Sequence, residues 1–189
     1  MSIIIGLLSN TWCKIRLMFQ DEARFGRMNV PMKCWCPMGY RPRVLCQQVR
    51  EFTYVYACVD PFDGTLDSLI LPETNTTVMN IFLNEVSERH NDEFIIMVVD
   101  GAMWHVAEDI AIPTNIKLLY LPPYSPELNP TEHIWDEIRE KWFGNTTFKT
   151  LAAVEDRLIE ALSELENDKE RVSSLVGFNW IISNPLIAT

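Results

Sequence analysis

Six consecutive apolar residues, Phe94-Ile-Ile-Met-Val-Val99, lead directly into Asp100-Gly101. A strand with one solvated face alternates apolar and polar residues, so an unbroken run marks a central strand covered on both sides. Such a strand requires helices above and below its sheet. The flanking sequence supplies them. Between Glu73 and His90, Val78, Met79, Phe82, Leu83 and Val86 recur at helical spacing. Two further helical patterns cover about Thr131–Phe143 and Thr150–Glu166. The last one carries Leu151, Val154, Leu158, Leu162 and Leu165 on one side and many acids, a solvated face, on the other.

The remaining pattern is mostly strand. Ile15-Arg-Leu-Met-Phe-Gln-Asp21 reads as the first strand. Gly26, Pro31, Pro37, Gly39 and Pro42 then punctuate a stretch that predicts turns joining short strands. Phe52–Asp60 places large side chains at alternate positions, and Pro61-Phe-Asp-Gly64 predicts a turn after it. A short helix is expected about Trp104–Ile110 and a strand over Ile116–Leu121. The order is three strands, helix, strand, helix, strand and closing helices. It predicts an α/β fold with a mixed five-stranded sheet and helices on both faces. That order is compatible with a ribonuclease-H-like fold, in which the first and fourth strands are central neighbours. The 189 residues suffice for one domain with a full core, expected to span 1–189.

Two acids close the strands that this order makes neighbours. Asp21 ends the first and Asp100 the fourth, so parallel pairing would bring the strand ends to about 4.8 Å. Ionised carboxylates at that range raise one another's pKa unless a cation neutralises them. Glu132, beside the stripe of Ile134, Trp135, Ile138 and Trp142, is placed to add a third ligand, with Asp136 in reserve. An all-oxygen set suits Mg2+ or Mn2+. Each acid also has an ordinary reading. Asp21 can cap a turn, Asp100-Gly101 can be turn chemistry, and Glu132 can complete a capping box begun by Asn129.

The net charge of −10 argues at first against nucleic acid, but it is unevenly spread. Residues 1–50 hold eight Lys/Arg against Asp21 and Glu22, a balance of +6, leaving −16 for the remainder. A basic segment on an acidic body can face an anion or simply be solvated. If it meets DNA, Arg24, Arg27, Lys33, Arg41 and Arg43 are the backbone contacts. Trp35 is read as a packing residue, with base stacking the alternative. Five cysteines, an odd number with no secretion signal, are expected as reduced thiols in a cytoplasmic protein. Cys34-Trp-Cys36 lacks a second Cys or His pair at zinc spacing. No apolar run approaches the roughly 18 residues of a membrane span.

Three segments carry a family resemblance. They are Phe19-Gln-Asp-Glu-Ala-Arg-Phe-Gly26, Val98-Val-Asp-Gly-Ala-Met-Trp-His105 and Leu121-Pro-Pro-Tyr-Ser-Pro-Glu-Leu-Asn-Pro-Thr-Glu-His-Ile-Trp135. With Trp35 and Gly39-Tyr-Arg-Pro42, they resemble bacterial insertion-sequence transposases of the mariner-type superfamily, insertion-sequence six-thirty-like, from about residue 15 onward. The third block is the most specific. The resemblance implies an Asp-Asp-Glu catalytic triad of Asp21, Asp100 and Glu132 on a ribonuclease-H-like fold, holding two Mg2+ or Mn2+ ions. It further implies cleavage of double-stranded DNA at transposon ends, strand transfer into target DNA, which in relatives is a TA dinucleotide, and a homodimer. His105 occupies a position where the family often has His, which implies a supporting or phosphate role. His133 is expected as an exposed helix residue, and Tyr124 as a structural residue of a stiff Pro loop able to guide DNA.

Two features depart from the family. Residues 1–14 match poorly and contain no helix-turn-helix, so recognition of transposon ends is expected from a separate domain or protein. Asp100 and Glu132 are separated by 31 residues, a little fewer than is usual in mariner relatives. Two alternatives stand beside the transposase expectation: a ribonuclease-H-like nuclease without strand transfer, and a non-catalytic truncated remnant acting as a DNA-binding or dimerisation module.

Overall fold

The computed structural model describes residues 14–101 and 109–183. Its elements are β1 (Lys14–Met28), β2 (Gln48–Val59), β3 (Leu66–Leu71), α1 (Thr76–Arg89), β4 (Glu93–Val99), β5 (Ile116–Tyr120), α2 (Glu132–Lys141), α3 (Leu151–Glu166), α4 (Lys169–Val176) and α5 (Asn179–Ile182). The strands form one mixed sheet in the order β3-β2-β1-β4-β5. β1 pairs antiparallel with β2 and parallel with β4, as the ribonuclease-H-like order predicts. The helix expected over 104–110 begins outside the described residues. Among those that are described, no helix is long and apolar enough to cross a membrane.

Each face of the sheet has its own core, which is why β4 reads as continuously apolar. Ile95, Met97 and Val99 join Met18, Tyr56 and Cys58 beneath Met79, Phe82, Leu83 and Val86 of α1. Val98 turns the other way, to Phe19, Ala23, Phe25, Val55 and Ala57 under α2, α3 and α4. The α3 stripe predicted from spacing supplies Val154, Leu158, Leu162 and Leu165 to that layer.

The sequence expectations need correction in two places. β1 does not stop at Asp21 but runs seven residues further, because β2 pairs with it as far as Met28↔Gln48. The ladder slips between Gly26 and Met28, where a Cβ on Gly26 would sit 2.3 Å from the Glu51 carbonyl oxygen. Only glycine allows that approach. The short strands expected among Pro31, Pro37 and Pro42 do not form either. Residues 29–47 are an irregular arm with one turn at Met38-Gly39. The base of the arm is clasped. Gln47 Nε2 donates to Phe148 O (2.8 Å), and Phe148 N–H returns a bond to Gln47 Oε1 (3.0 Å). Asn145 exchanges bonds with both main-chain groups of Met32.

The start of β1 is held by buried charge. The Arg16 side chain donates from Nε and Nη2 to Glu93 and from Nη1 to Asp60 (2.7 Å) and Asp63 (2.9 Å). Lys14 adds a fourth bridge, to Glu93. The hydrogen bond from Arg16 holds the Glu93 carboxyl at about 2, against a burial cost that acts the other way. Because its folded pKa is depressed, Glu93 contributes stability that is present above about pH 4.5 and lost as pH falls toward 2. Arg16→Met should therefore cost about 3–5 kcal/mol at pH 7, where it strands buried carboxylates. Urea denaturation should show the difference between variant and wild type shrinking at pH 3.

Candidate active site

The acids are placed by register. The β1–β4 ladder ends at Phe19↔Val98, and two residues further on each strand stand Asp21 and Asp100. Strand alternation turns Asp21 toward the face already occupied by Phe19, which is the α2 face, and Asp100 follows the last residue of β4. β1 continues past this point with β2 alone, so a cleft opens where β1 and β4 part company. The cleft has a volume of about 470 Å³, and its lining includes Asp21, Asp100, Gly101, Asn129, Glu132 and the loop Leu121–Pro126. All three predicted acids meet there. Asp136 does not line it and faces solvent near Arg139.

Glu132 arrives through three hydrogen bonds made by the entry to α2. Asn129 Nδ2 donates to Gln20 O (2.9 Å), Thr131 Oγ1 to Phe19 O (2.8 Å) and Trp135 Nε1 to Asp21 Oδ2 (2.9 Å). Asn129 and Thr131 are buried. The predicted capping box is not built. Thr131 precedes the helix without a side-chain cap, and the Asn129 N–H bonds Pro126 O. Asn129 Oδ1 still accepts from Thr131 N–H (3.2 Å), so the helix entry is capped while Glu132 remains beside the cleft. Trp135 was legible only as core. Its single polar atom, one turn after Glu132, is what ties the apolar stripe to the acid.

Among the described residues, Asp21 and Glu132 make no ion pair with a lysine or arginine. Burial pushes the Asp21 carboxyl up to about 7; the Trp135 bond works against this, and the Glu132 and Glu22 charges add to it. An acid whose folded pKa lies above its unfolded value contributes stability at low pH and loses it as pH rises through the folded value. In Asp21 that window runs from about 4 to about 7. Among the described residues no three His, Cys, Asp or Glu side chains are drawn close enough to enclose an ion as they stand. The donor chemistry nevertheless fits a hard divalent cation: three carboxylates, oxygen only, with the Asp21 carboxyl raised chiefly by burial.

Other predicted residues fall out differently. His105 lies outside the described residues. His133 is exposed, with its ring edge-on to Phe178. Arg27 is engaged within the fold, donating to Phe148 O and Glu51. Arg24 is exposed over the Phe52 ring, and Lys33, Arg41 and Arg43 project from the 29–47 arm. Trp35, expected to pack, is fully exposed on that arm. Tyr124, expected to be structural, is also fully exposed and lines the cleft.

A mixed sheet in this order, with carboxylates gathered where its two central parallel strands separate, is a ribonuclease-H-like core. The model of the DDE superfamily endonuclease family matches residues 16–155, and the chain belongs to that family. It is 32% identical over 130 residues to the uncharacterised protein y4pE/y4sA of Sinorhizobium fredii, covering 68% of this chain and 96% of that one. Its fold is that of the Mos1 transposase in a paired-end complex with the left transposon end. The TM-score is 0.59 at 20% identity, over 93% of this chain and 60% of that one. The Mos1 mariner paired-end complex with Mn matches with a TM-score of 0.58 at 19% identity, over 86% of this chain and 56% of the other. The chain thus spans about three fifths of the solved transposases it matches.

Asp21→Asn removes the uncompensated charge and keeps an acceptor for Trp135. In metal-free protein it should raise stability at pH 8 by up to about 4 kcal/mol and change little at pH 4. Thermal melts in chelator at the two pH values check this.

Proposed function

We propose that this chain is the catalytic domain of a DNA transposase, which cleaves DNA at transposon ends and joins the cut ends to a target. The observation that carries the reading is the meeting of Asp21, Asp100 and Glu132 in one cleft. Mg2+ or Mn2+ ions, two in this proposal, would supply activation of the attacking oxygen and stabilisation of the leaving 3′ oxygen when bound there. The protein's own contribution is placement. β1 and β4 hold Asp21 and Asp100 level, Trp135 fixes one Asp21 oxygen, and the Asn129 and Thr131 bonds fix the helix entry that carries Glu132. Groups held in advance cost no reorganisation at the moment of reaction. Water is the first nucleophile and a DNA 3′-hydroxyl the second, so no covalent enzyme intermediate is needed.

DNA as substrate is supported by membership of the endonuclease family and by a fold like that of a transposase whose complex contains a transposon end. Exposed Arg24, Lys33, Arg41 and Arg43 are the backbone contacts in this proposal, on or beside a segment of +6 charge. Arg27 serves by bracing the base of the arm, and His105 by supporting the acids. A homodimer and a separate recognition domain or protein belong to the same reading.

Asp100→Asn should lower Mg2+- or Mn2+-dependent strand cleavage by more than about 100-fold with an unchanged circular dichroism spectrum. Near-normal cleavage by this variant would reject the site. Pre-cut ends offered with target DNA should yield joined product, whereas hydrolysis without joining would favour the nuclease reading.

A further inference from the structure

The turn that follows α4 touches both elements that carry acids. Ile181 anchors it, fully buried in the core beneath α2, α3 and α4. Two aromatic rings flank that anchor. Phe178 meets the His133 ring edge-on with centroids 4.9 Å apart, and Trp180 meets the Phe19 ring edge-on at 6.5 Å. His133 follows Glu132 in the first turn of α2, and Phe19 stands two residues before Asp21 on the same face of β1. Core packing does not account for both rings. Trp180 is 50% exposed and Phe178 only half-buried, while Ile181 already supplies the buried contact.

Glu132 therefore lies between two holds. Helix positions are spaced about 100° apart around the axis, so His133 stands about 100° to one side of Glu132 and Trp135 about 60° to the other. Trp135 is tied to Asp21 (2.9 Å), and His133 rests on Phe178. A helix turn gripped on one side can rock about that side; gripped on both, it cannot. The second grip matters most before a cation arrives. The Glu132 charge disfavours ionisation of Asp21, which is mutual repulsion of the two anions, and no lysine or arginine pairs with either acid among the described residues.

We infer that the turn over residues 178–181 is a brace for the cation-binding acids, with Phe178 and Trp180 as positioning residues that keep Glu132 and Asp21 at a fixed separation. The inference rests on the transposase reading and deepens it. Neither ring is among the described residues that line the cleft, so each acts through a neighbour: Phe178 on Glu132 through His133, and Trp180 on Asp21 through Phe19. A cation binds more tightly to oxygens already held in place than to oxygens it must first draw together, because the ordering has been done in folding.

The probe is Mn2+ alone, its binding to the full chain read without DNA by electron paramagnetic resonance of the free ion. Wild type should bind Mn2+, and Asp100→Asn and Glu132→Gln should each lose that binding. Phe178→Ala and Trp180→Ala should each weaken it about 10-fold, the low end of what losing a support behind a ligand costs. Trp180→Phe should keep wild-type affinity. Should an alanine variant not fold, Phe178→Leu and Trp180→Leu, which keep apolar bulk without the ring, carry the same expectation. Ile182→Ala, at a 38% exposed position of the same turn, removes packing without touching either carrier and should leave the affinity unchanged. His133→Ala should weaken binding as Phe178→Ala does, and the double variant should weaken it no further, because the two rings act as one contact. Wild-type affinity in the ring deletions would overturn the inference, as would equal weakening in Ile182→Ala or fully additive losses in the double variant. Wild type that binds no Mn2+, or binds it equally well after Asp100→Asn and Glu132→Gln, would overturn the transposase reading with it.

Discussion

The grip of the α2 entry on β1 is the contact on which the rest of the site depends. Asn129, Thr131 and Trp135 reach three consecutive residues of β1 that lie 109 to 114 positions earlier in the chain. Two of the acceptors are backbone carbonyls at the point where the β1–β4 ladder is ending. The third acceptor is Asp21 itself. These bonds bring Glu132 to Asp21, and burial of Trp135 against Phe25 (ring centroids 6.2 Å apart) supplies apolar contact to hold the arrangement.

Glu93, paired near the start of β1, and Asp21, midway along it, are shifted in opposite directions, although Asp60 beside Arg16 is raised by burial as Asp21 is. At the start of β1, Glu93 and Asp60 meet Arg16, and Glu93 is driven far below the usual carboxylate range. Further along, Asp21 is partly enclosed beside Glu132 with a neutral indole as its donor, and it is driven up. Seven of the sixteen Lys/Arg in the chain lie in residues 14–43, yet none of them makes an ion pair with Asp21 or Glu132 among the described residues. Arginine neutralises the first cluster, and under the proposed function a mobile cation would serve Asp21 and Glu132.

Much of the layout was legible because periodicity reports burial. The unbroken apolar run of β4 and the stripes of α1 and α3 read directly from their spacing, and the long third block placed Glu132 with the two aspartates. What escaped was set by partners distant in sequence. β1 runs on to Met28 because β2 is there to pair with it, and residues 22–28 alone do not announce this. Leu66-Asp-Ser-Leu-Ile-Leu71 has no two-residue alternation, so β3 had no assigned range. Asn129 and Thr131 carry ordinary capping chemistry, and only the approach of β1 redirects two of their side-chain groups to its carbonyls. Trp35 and Tyr124 were assigned to packing because large aromatics are usually buried, and both are exposed. Gln20 breaks the same expectation in reverse, with a fully buried amide that has no hydrogen-bond partner among the described residues. Two of these exceptions, Gln20 and Tyr124, lie next to Asp21 and on the cleft loop.

The location of charge also explains how a chain of net −10 can serve a polyanion. Most of the acids lie on solvated surfaces of the body, such as the outer side of α3, while Lys33, Arg41 and Arg43 project on an arm whose base is clasped to the segment joining α2 to α3. At physiological ionic strength, charges separated by more than about 8 Å are largely screened from one another. A phosphate beside the arm therefore responds chiefly to the arm, and net charge says little about that encounter. Under the proposed function the acids of the cleft are the exception, because there they would meet phosphate at contact distance. Their repulsion would make approach conditional on a cation, which would couple ion binding and substrate positioning through the same three carboxylates.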